Sequence, residues 1–498
     1  MSLPPVPTSF NLTAHVLDAA LRAPNKTALE VLSGPDVGQL TYDDLRQAVL
    51  GTATGFVNMG LTAGDRILFR LGNTPDFPIA YLAAIAVDLI PVPTSAQLTR
   101  AEVTRIAADL TPAAIIAGSD IALPDHPARV VLSDELRRWR GLPPADIVMG
   151  DPNRPGYIIY TSGTSGTSRG VVHAHRAIWA RQSMIQGWYG LTSDDRMLHA
   201  GAFNWTYTLG TGLMDPWTIG ATALIPGPDH GPADLPGLLR NHDATLFAAA
   251  PGVYRQALRS PIPPLPDLRH GLSAGEKLPE TTRAAWLDAT GTPIFEAYGM
   301  SECSTFISSS PTSRSEVGTL GRPQPGRRVA LMNAAGALAD EGQIVIHKDD
   351  PGLMLGYLNA PVETAARFSG DWFQTGDLGT RLPSGTIRYD GRADDMMNAG
   401  GYRVSPLEVE AALALHPAIE EAAAIEAPVK ADASVIAAFY VSDDVLNEGE
   451  LSAHCARHLA RYKTPRLFIR IDSLPRGANN KLLRRSLRDT WKARHGQT

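Results

Sequence analysis

Cysteine is almost absent from this chain: Cys303 and Cys455 are the only two in 498 residues. Two such thiols build no disulfide framework and lack metal-ligand spacing, so a reducing compartment is expected, by default the cytoplasm. Basic residues are not in excess. Lys and Arg number 45 against 51 Asp and Glu, a formal net charge of −6, which provides no general field for nucleic acid and excludes it as the main partner. A nucleotide could still be held by a local site. Long apolar runs are missing as well. The most apolar stretch, 79–90, is interrupted by Asp88 and is shorter than the roughly 18 apolar residues a bilayer requires. The opening MSLPPVPTSFNLTAHVLDAA has no basic region followed by an apolar core, unlike a secretory signal. A soluble protein without an integral membrane segment is expected.

What is present is a large, loop-rich chain. With 44% hydrophobic residues, 45 Gly and 39 Pro, it exceeds a single hydrophobic core and implies at least two domains. From about residue 40, short apolar runs alternate with helical patterns: RILFRL, then PDFPIAYLAAIAVDLI, then IPVPTS. That is the rhythm of parallel α/β units. ATLFAAAPGVYRQALR and PIFEAYGMSE each follow an apolar run with small or polar residues, where an open parallel sheet carries its ligand loops. Near Gly391 the chain turns rich in Gly, Asp and Asn, a junction composition. Ser405-Pro406-Leu407-Glu408 then reads as a helix start, with Ser as N-cap and Glu three residues on. The expected organisation is an α/β fold: a large N-terminal domain over 1–391 with mixed sheets and flanking helices, a hinge at 392–396, and a small α+β C-terminal domain over 397–498.

The segment after the apolar strand GYIIY carries the strongest chemical signal. It comprises Thr161, Ser162, Gly163, Thr164, Ser165, Gly166, Thr167, Ser168, Arg169 and Gly170. Small hydroxyl residues and glycines let backbone N–H groups close on phosphate oxygens without steric block. In isolation such a run is more often a surface loop. A preceding strand and a terminal cation favour a phosphate cradle, although the Walker A ending is missing.

Around this loop, and over nearly its whole length from LTYDDLRQA to KLLRRSLRD, the chain resembles the adenylate-forming superfamily. The resemblance implies ATP, Mg²⁺ and coenzyme A as cofactors or co-substrates. It implies that the loop covers the β- and γ-phosphates, with Arg169 where Lys is usual. Ala274, Gly275 and Glu276 resemble the adenine-contacting turn. Glu296, Ala297, Tyr298, Gly299, Met300, Ser301 and Glu302 resemble the motif in which Tyr stacks on adenine, Ser301 reaches the α-phosphate or the adenylate, and Glu302 holds the metal. Asp377, in Trp372-Phe373-Gln374-Thr375-Gly376-Asp377, would accept both ribose hydroxyls, with Arg392 approaching the ribose. Asp394 takes the hinge position. Gly400, Gly401, Tyr402 and Arg403 would line the pantetheine channel, and Lys481 would bridge the acyl carboxylate and the α-phosphate as the main catalytic residue. Ser168, Arg169, Gln343 and Asn480 depart from the usual pattern.

The resemblance therefore implies an ATP-dependent acid–CoA ligase that forms an acyl-adenylate and then a thioester, with no covalent enzyme intermediate. The acid pocket is expected around Phe203, Trp205, Tyr207, Gly210 and Thr305, although either Trp205 or Tyr207 fits a core equally well. PVPTSAQLT and GYRVSPLEVE are worded most like the benzoate-CoA ligase and medium-chain acyl-CoA synthetase branch, which points to a small aryl or a short branched acid. Three other readings compete. An adenylation enzyme loading a carrier protein for amino acids normally has Asp where Asn204 stands. A degenerate nucleotide-binding module would not retain Glu302, Asp377, Arg392 and Lys481, and a luciferase-like oxygenase requires a special substrate. A homodimer is compatible with the sequence.

Overall fold

The computed structural model describes residues 3–32, 38–161, 169–399, 402–430, 433–477 and 482–495. Two compact units emerge: Met1–Val329 with Ile346–Phe373, and Ala330–Val345 with Gln374–Thr498. The α/β class expected from the sequence is what the structure has.

The first unit is organised around one large sheet. Its strands run in the order Thr319–Pro323, Ser304–Ser308, Ile294–Met300, His270–Ala274, Leu246–Ala249, Arg196–Ala200, Thr222–Pro226, Thr27–Leu32 and Gly38–Thr41. From Ile294–Met300 to Thr27–Leu32 the pairing is parallel, and the outer pairs are antiparallel. Strands such as Leu246–Ala249, buried along their whole length, read as continuous apolar runs because both faces are covered. Ala250 leaves that strand in extended backbone and Pro251 opens the helix Pro251–Ala257, a position where proline costs no hydrogen bond. A second, four-stranded parallel sheet holds Ile90–Pro93, Arg66–Arg70, Ala114–Ala117 and Arg129–Leu132. The most apolar sequence stretch forms the helix Asp76–Ala86, buried at every position. None of the helices among the described residues is long and apolar enough to cross a membrane.

A third sheet positions the glycine-rich segment. Pro155–Thr161 and Arg169–Ala174 pair antiparallel, with Thr161 opposite Arg169, so residues 162–168 connect two neighbouring strands. A Walker A loop instead joins a strand to a helix. Gly356–Tyr357 adds to the same sheet on the Arg169–Ala174 side.

In the second unit, Gln374–Arg381 belongs to the strand Trp372–Arg381, which pairs with Ile387–Arg392, and Ala393 N–H donates to the Gly376 carbonyl at 2.8 Å. The division by compactness thus falls at Phe373 and Gln374, and the Thr-Gly-Asp strand shares a unit with the expected hinge. Further on, Glu421–Lys430, Ala433–Val441 and Leu467–Arg470 form a three-stranded sheet, packed by the helices Pro406–Leu413, Glu448–His458 and Arg484–His495. Ser405 caps Pro406–Leu413 through Leu407 N–H at 3.3 Å. The Glu408 carboxylate departs from the expected reciprocal box: it accepts from Lys463 at 2.6 Å, because a charged partner outcompetes the backbone N–H.

Candidate active site

Glu302 lies at the end of the Tyr-Gly-Met-Ser-Glu segment, half-buried, with its carboxylate accepting from the Tyr357 hydroxyl at 2.8 Å. Its carbonyl accepts from Met354 N–H at 2.8 Å. Arg169, the cation that ends the glycine-rich segment, stands over the Tyr357 ring at 5.5 Å and pairs with Glu363 at 2.8 Å. Arg169, Tyr357 and Glu302 therefore form one chain of contacts from the end of the loop to the expected metal ligand. Ser301 is held from behind: its carbonyl meets His173 Nε2 at 2.7 Å, and the His173 ring stacks on Tyr157. Burial pushes His173 down to about 4, so the imidazole is neutral and can donate to that carbonyl.

Gly299 sits at a register shift in the hairpin of Ile294–Met300 with Ser304–Ser308. A Cβ there would lie 2.2 Å from the Ser304 carbonyl oxygen, so only glycine allows the turn that presents Tyr298, Ser301 and Glu302. Ala297 is buried in the strand before it. Ala274 ends the strand His270–Ala274, and Gly275 just after it has φ +96° with the Trp205 ring where a Cβ would be. Glu276, just after the turn, is partly exposed. Glu296 was expected at the nucleotide, yet its carboxylate is buried and accepts from Leu278 N–H and Arg283, each at 2.9 Å. Those two bonds tie the strand Ile294–Met300 to Leu278 and to the helix Glu280–Thr290.

The five acid-pocket residues do different things. Phe203 is 3% exposed and packs edge-on against Phe77 in the core. Tyr207 is buried, with its hydroxyl donating to the Leu272 carbonyl at 3.1 Å. Of the two aromatics weighed for pocket or core, Tyr207 is in the core, and Trp205 is half-buried over Gly275. Gly210 lets the Arg181 guanidinium pass where a Cβ would come within 2.3 Å of it. The Thr305 hydroxyl contacts the Met184 sulfur at 2.9 Å.

Beneath this segment lies a polar network that the sequence did not announce. Arg181 is buried, donates to both oxygens of Asp215 and contacts Tyr189, Thr211 and Ser304. Beside it, His199 and Thr208 are buried with neither ring nitrogen and no hydroxyl partnered.

In the second unit, Asp377 lies directly opposite Arg392 in the paired strands. Tyr389 donates to the Asp377 carboxylate at 2.8 Å, Arg392 reaches it at 3.8 Å, and Arg392 also pairs with Asp394 at 2.9 Å. Asp394 is half-exposed. Tyr402 and Arg403 lie in the short strand Tyr402–Val404. Side chains of Thr161, Tyr402 and Arg403, and residues Ser162, Gly163, Thr164, Ser165, Gly166, Thr167, Gly400, Gly401 and Lys481, lie outside the described residues.

The family of AMP-binding enzymes matches residues 16–358, and the AMP-binding enzyme C-terminal domain matches 408–481. The chain belongs to the AMP-binding enzyme family. Among its relatives, a benzoate–CoA ligase of Thauera aromatica is 30% identical over 484 residues, covering 91% of each chain. A 3-hydroxybenzoate–CoA ligase of Aromatoleum sp. (strain CIB) is 29% identical, covering 91% of this chain and 92% of that protein. Among solved structures, an anthranilate CoA ligase in complex with anthranoyl-AMP superimposes with a TM-score of 0.90 at 25% identity, covering 100% of both chains. This AMP-binding enzyme is thus matched along its length by ligases of ring acids.

Proposed function

We propose that this AMP-binding enzyme is an ATP-dependent, AMP-forming acid–CoA ligase acting on a small aryl carboxylic acid. The observation that carries the reading is the match to aryl-CoA ligases across about nine-tenths of the chain. The acid carboxylate attacks the α-phosphorus of ATP and displaces pyrophosphate. The thiol of coenzyme A then attacks the acyl carbon, forming the thioester and releasing AMP. Such chemistry needs anions held in line and their charge neutralised, with no nucleophile from the protein.

The geometry supports that division of labour. The glycine-rich segment between the strands Pro155–Thr161 and Arg169–Ala174 is assigned the phosphates, and Arg169 at its end would supply charge. Ser301 and Tyr298 are presented by a turn that Gly299 makes possible. Asp377, flanked by Tyr389 and Arg392, offers a carboxylate suited to a diol. Glu302 fits Mg²⁺: it is a half-buried carboxylate oriented by the Tyr357 hydroxyl, and Mg²⁺ characteristically binds through one or two carboxylates plus substrate phosphates. When bound, it would neutralise phosphate charge. Asp394 is assigned the hinge between a large domain at 1–391 and a small one from 397, and Lys481 the bridge between the carboxylate and the α-phosphate.

The test is pyrophosphate release with Mg-ATP and coenzyme A over benzoates, short branched acids and amino acids, for the native chain and Lys481→Ala. Turnover with an aryl acid, lost in Lys481→Ala while presynthesised acyl-adenylate is still converted, supports the reading. Turnover with amino acids alone, indifferent to coenzyme A, would replace it with carrier-protein loading.

A further inference from the structure

The relatives accept ring acids of different substitution, and nothing above chooses among them. The choice can be read from the buried side chains beneath the segment Gly201–Gly210.

His199 stands in the strand Arg196–Ala200, paired in register with Ala248 of the next strand, which in turn pairs with Leu272. Those positions share one face of the parallel sheet, because paired residues of neighbouring strands point the same way. Farther along that face, toward the adenine-type turn, Ala274 pairs with Ala297. Ala248, Ala274 and Ala297 are small and belong to the same buried cluster as Tyr207 and Leu272, so the side chains along this face offer His199 no polar partner. The His199 ring meets the Tyr207 ring edge-on at 4.5 Å.

Two polar groups converge there. A Cβ on Gly201 would lie 2.3 Å from the Thr208 hydroxyl oxygen and 3.1 Å from Cε1 of the His199 ring. Gly201 therefore lets both groups face the same spot. His199 is 4% exposed and Thr208 0% exposed, and neither has a hydrogen-bond partner for its polar atoms. Buried donors and acceptors are ordinarily satisfied, and leaving them unmet costs stability. A pair left unmet beside the segment that carries the expected acid pocket marks a place where a ligand supplies the partner.

The chemistry of that partner follows from protonation. Burial and the nearby Arg181 charge hold His199 down to about 3, so the imidazole is neutral and offers one donor and one acceptor. Thr208 also gives and accepts. Arg181 is tied to both oxygens of Asp215, so its charge is already compensated and a second ligand carboxylate gains little from it. A phenolic hydroxyl or an aryl amine matches neutral groups that both give and accept; a bare ring satisfies none of them.

We infer that the acid taken by this site is an aryl carboxylate bearing a ring hydroxyl or amino group, which hydrogen-bonds to His199 and Thr208. The inference rests on the aryl-CoA ligase reading above, and the two can fail separately.

The experiment compares kcat/KM, from coenzyme A-dependent AMP release, for benzoate and for the ring isomers of hydroxy-, amino- and methylbenzoate. It uses the native enzyme, Thr208→Val and His199→Phe. Native enzyme is expected to prefer at least one hydroxy or amino isomer over the size-matched methyl isomer by about tenfold or more. Each variant is expected to shrink that ratio by about tenfold, and Thr208→Val, which conserves volume, guards against a His199→Phe chain that fails to fold. Equal rates for hydroxy, amino and methyl isomers in the native enzyme would overturn the inference while leaving the ligase intact. A ratio unchanged in both variants would overturn the assignment to His199 and Thr208. AMP release with none of the acids would remove the ligase reading itself, a different result from either.

Discussion

The Tyr357 hydroxyl donates to the Glu302 carboxylate at 2.8 Å, across 55 residues of sequence. The same ring carries the Arg169 guanidinium on its face, so one aromatic side chain joins the end of the glycine-rich segment to the candidate metal ligand. Tyr357→Phe removes the hydroxyl and little volume. A several-fold rise in the Mg²⁺ concentration needed for half-maximal pyrophosphate release is expected, with the unfolding free energy from urea titration lowered by no more than about 1 kcal/mol. A Mg²⁺ titration superimposable on the native one would disconnect Tyr357 from the metal.

The hairpin that presents Tyr298, Ser301 and Glu302 depends on a missing side chain. Gly299→Ala places a methyl group 2.2 Å from the Ser304 carbonyl oxygen, and the strand pair must shift to admit it. Folded yield is expected to drop, and what folds should lose at least about tenfold in adenylate formation. Wild-type rates from Gly299→Ala would show that the turn yields freely.

Arg327 and Asp350 form an ion pair in which both side chains are 0% exposed. Arg327 also donates to the carbonyls of Cys303 and Thr305, pinning the chain directly after Glu302. Asp350→Ala strands a buried cation and should cost about 3–5 kcal/mol, whereas Arg327→Met with Asp350→Leu should cost less. Urea unfolding distinguishes them; an Asp350→Ala midpoint near that of the native chain would mean that water reaches the guanidinium.

Neither thiol is built for chemistry. Burial raises the Cys303 thiol well above its usual range and raises Cys455 to about 11, so both are protonated and slow to alkylate. Mass spectrometry after iodoacetamide treatment at pH 8 should find both unmodified in the native state and labelled after denaturation. Rapid native labelling with loss of activity would implicate a thiol in turnover.

Acid should weaken the fold over a defined window. Burial holds His173 and His270 down to about 4 and His199 to about 3, whereas the unfolded chain titrates them near 6.5. Above that pH both states are neutral and the full stability is present. As pH falls below it only the unfolded chain takes up protons, so stability drops by about 1.4 kcal/mol per pH unit for each histidine until the folded values are reached. Urea midpoints from pH 7.5 to 5 should fall steeply, and His199→Phe should flatten the slope by about one proton. A pH-independent midpoint would mean these imidazoles are solvated.

Much of the scaffold was legible because its signals are local. Leu246–Ala249 and the helix opened by Pro251 follow from an apolar run and a proline in sequence neighbours. Asp377 and Arg392 were both visible as motif residues, but their direct opposition is a matter of strand register. What stayed hidden depends on long-range packing. Nothing near Tyr357 announces Glu302, and a lone histidine such as His199 reads as an ordinary core residue until its unmet nitrogens are seen. Phe203 looked like a pocket wall because its neighbours do, yet its backbone N–H is held by Asn73 and its ring turns to Phe77. Glu296 likewise looked like part of the nucleotide motif and is committed to Arg283.

The most direct measurement is simultaneous detection of AMP and acyl-CoA from Mg-ATP, coenzyme A and a panel of substituted benzoates, for the native chain and Lys481→Ala. The expected result is AMP and aroyl-CoA in equal amounts from the native enzyme, with both products lost in Lys481→Ala. ATP binding without AMP release for any acid of the panel would contradict the assignment of this chain as an aryl acid–CoA ligase.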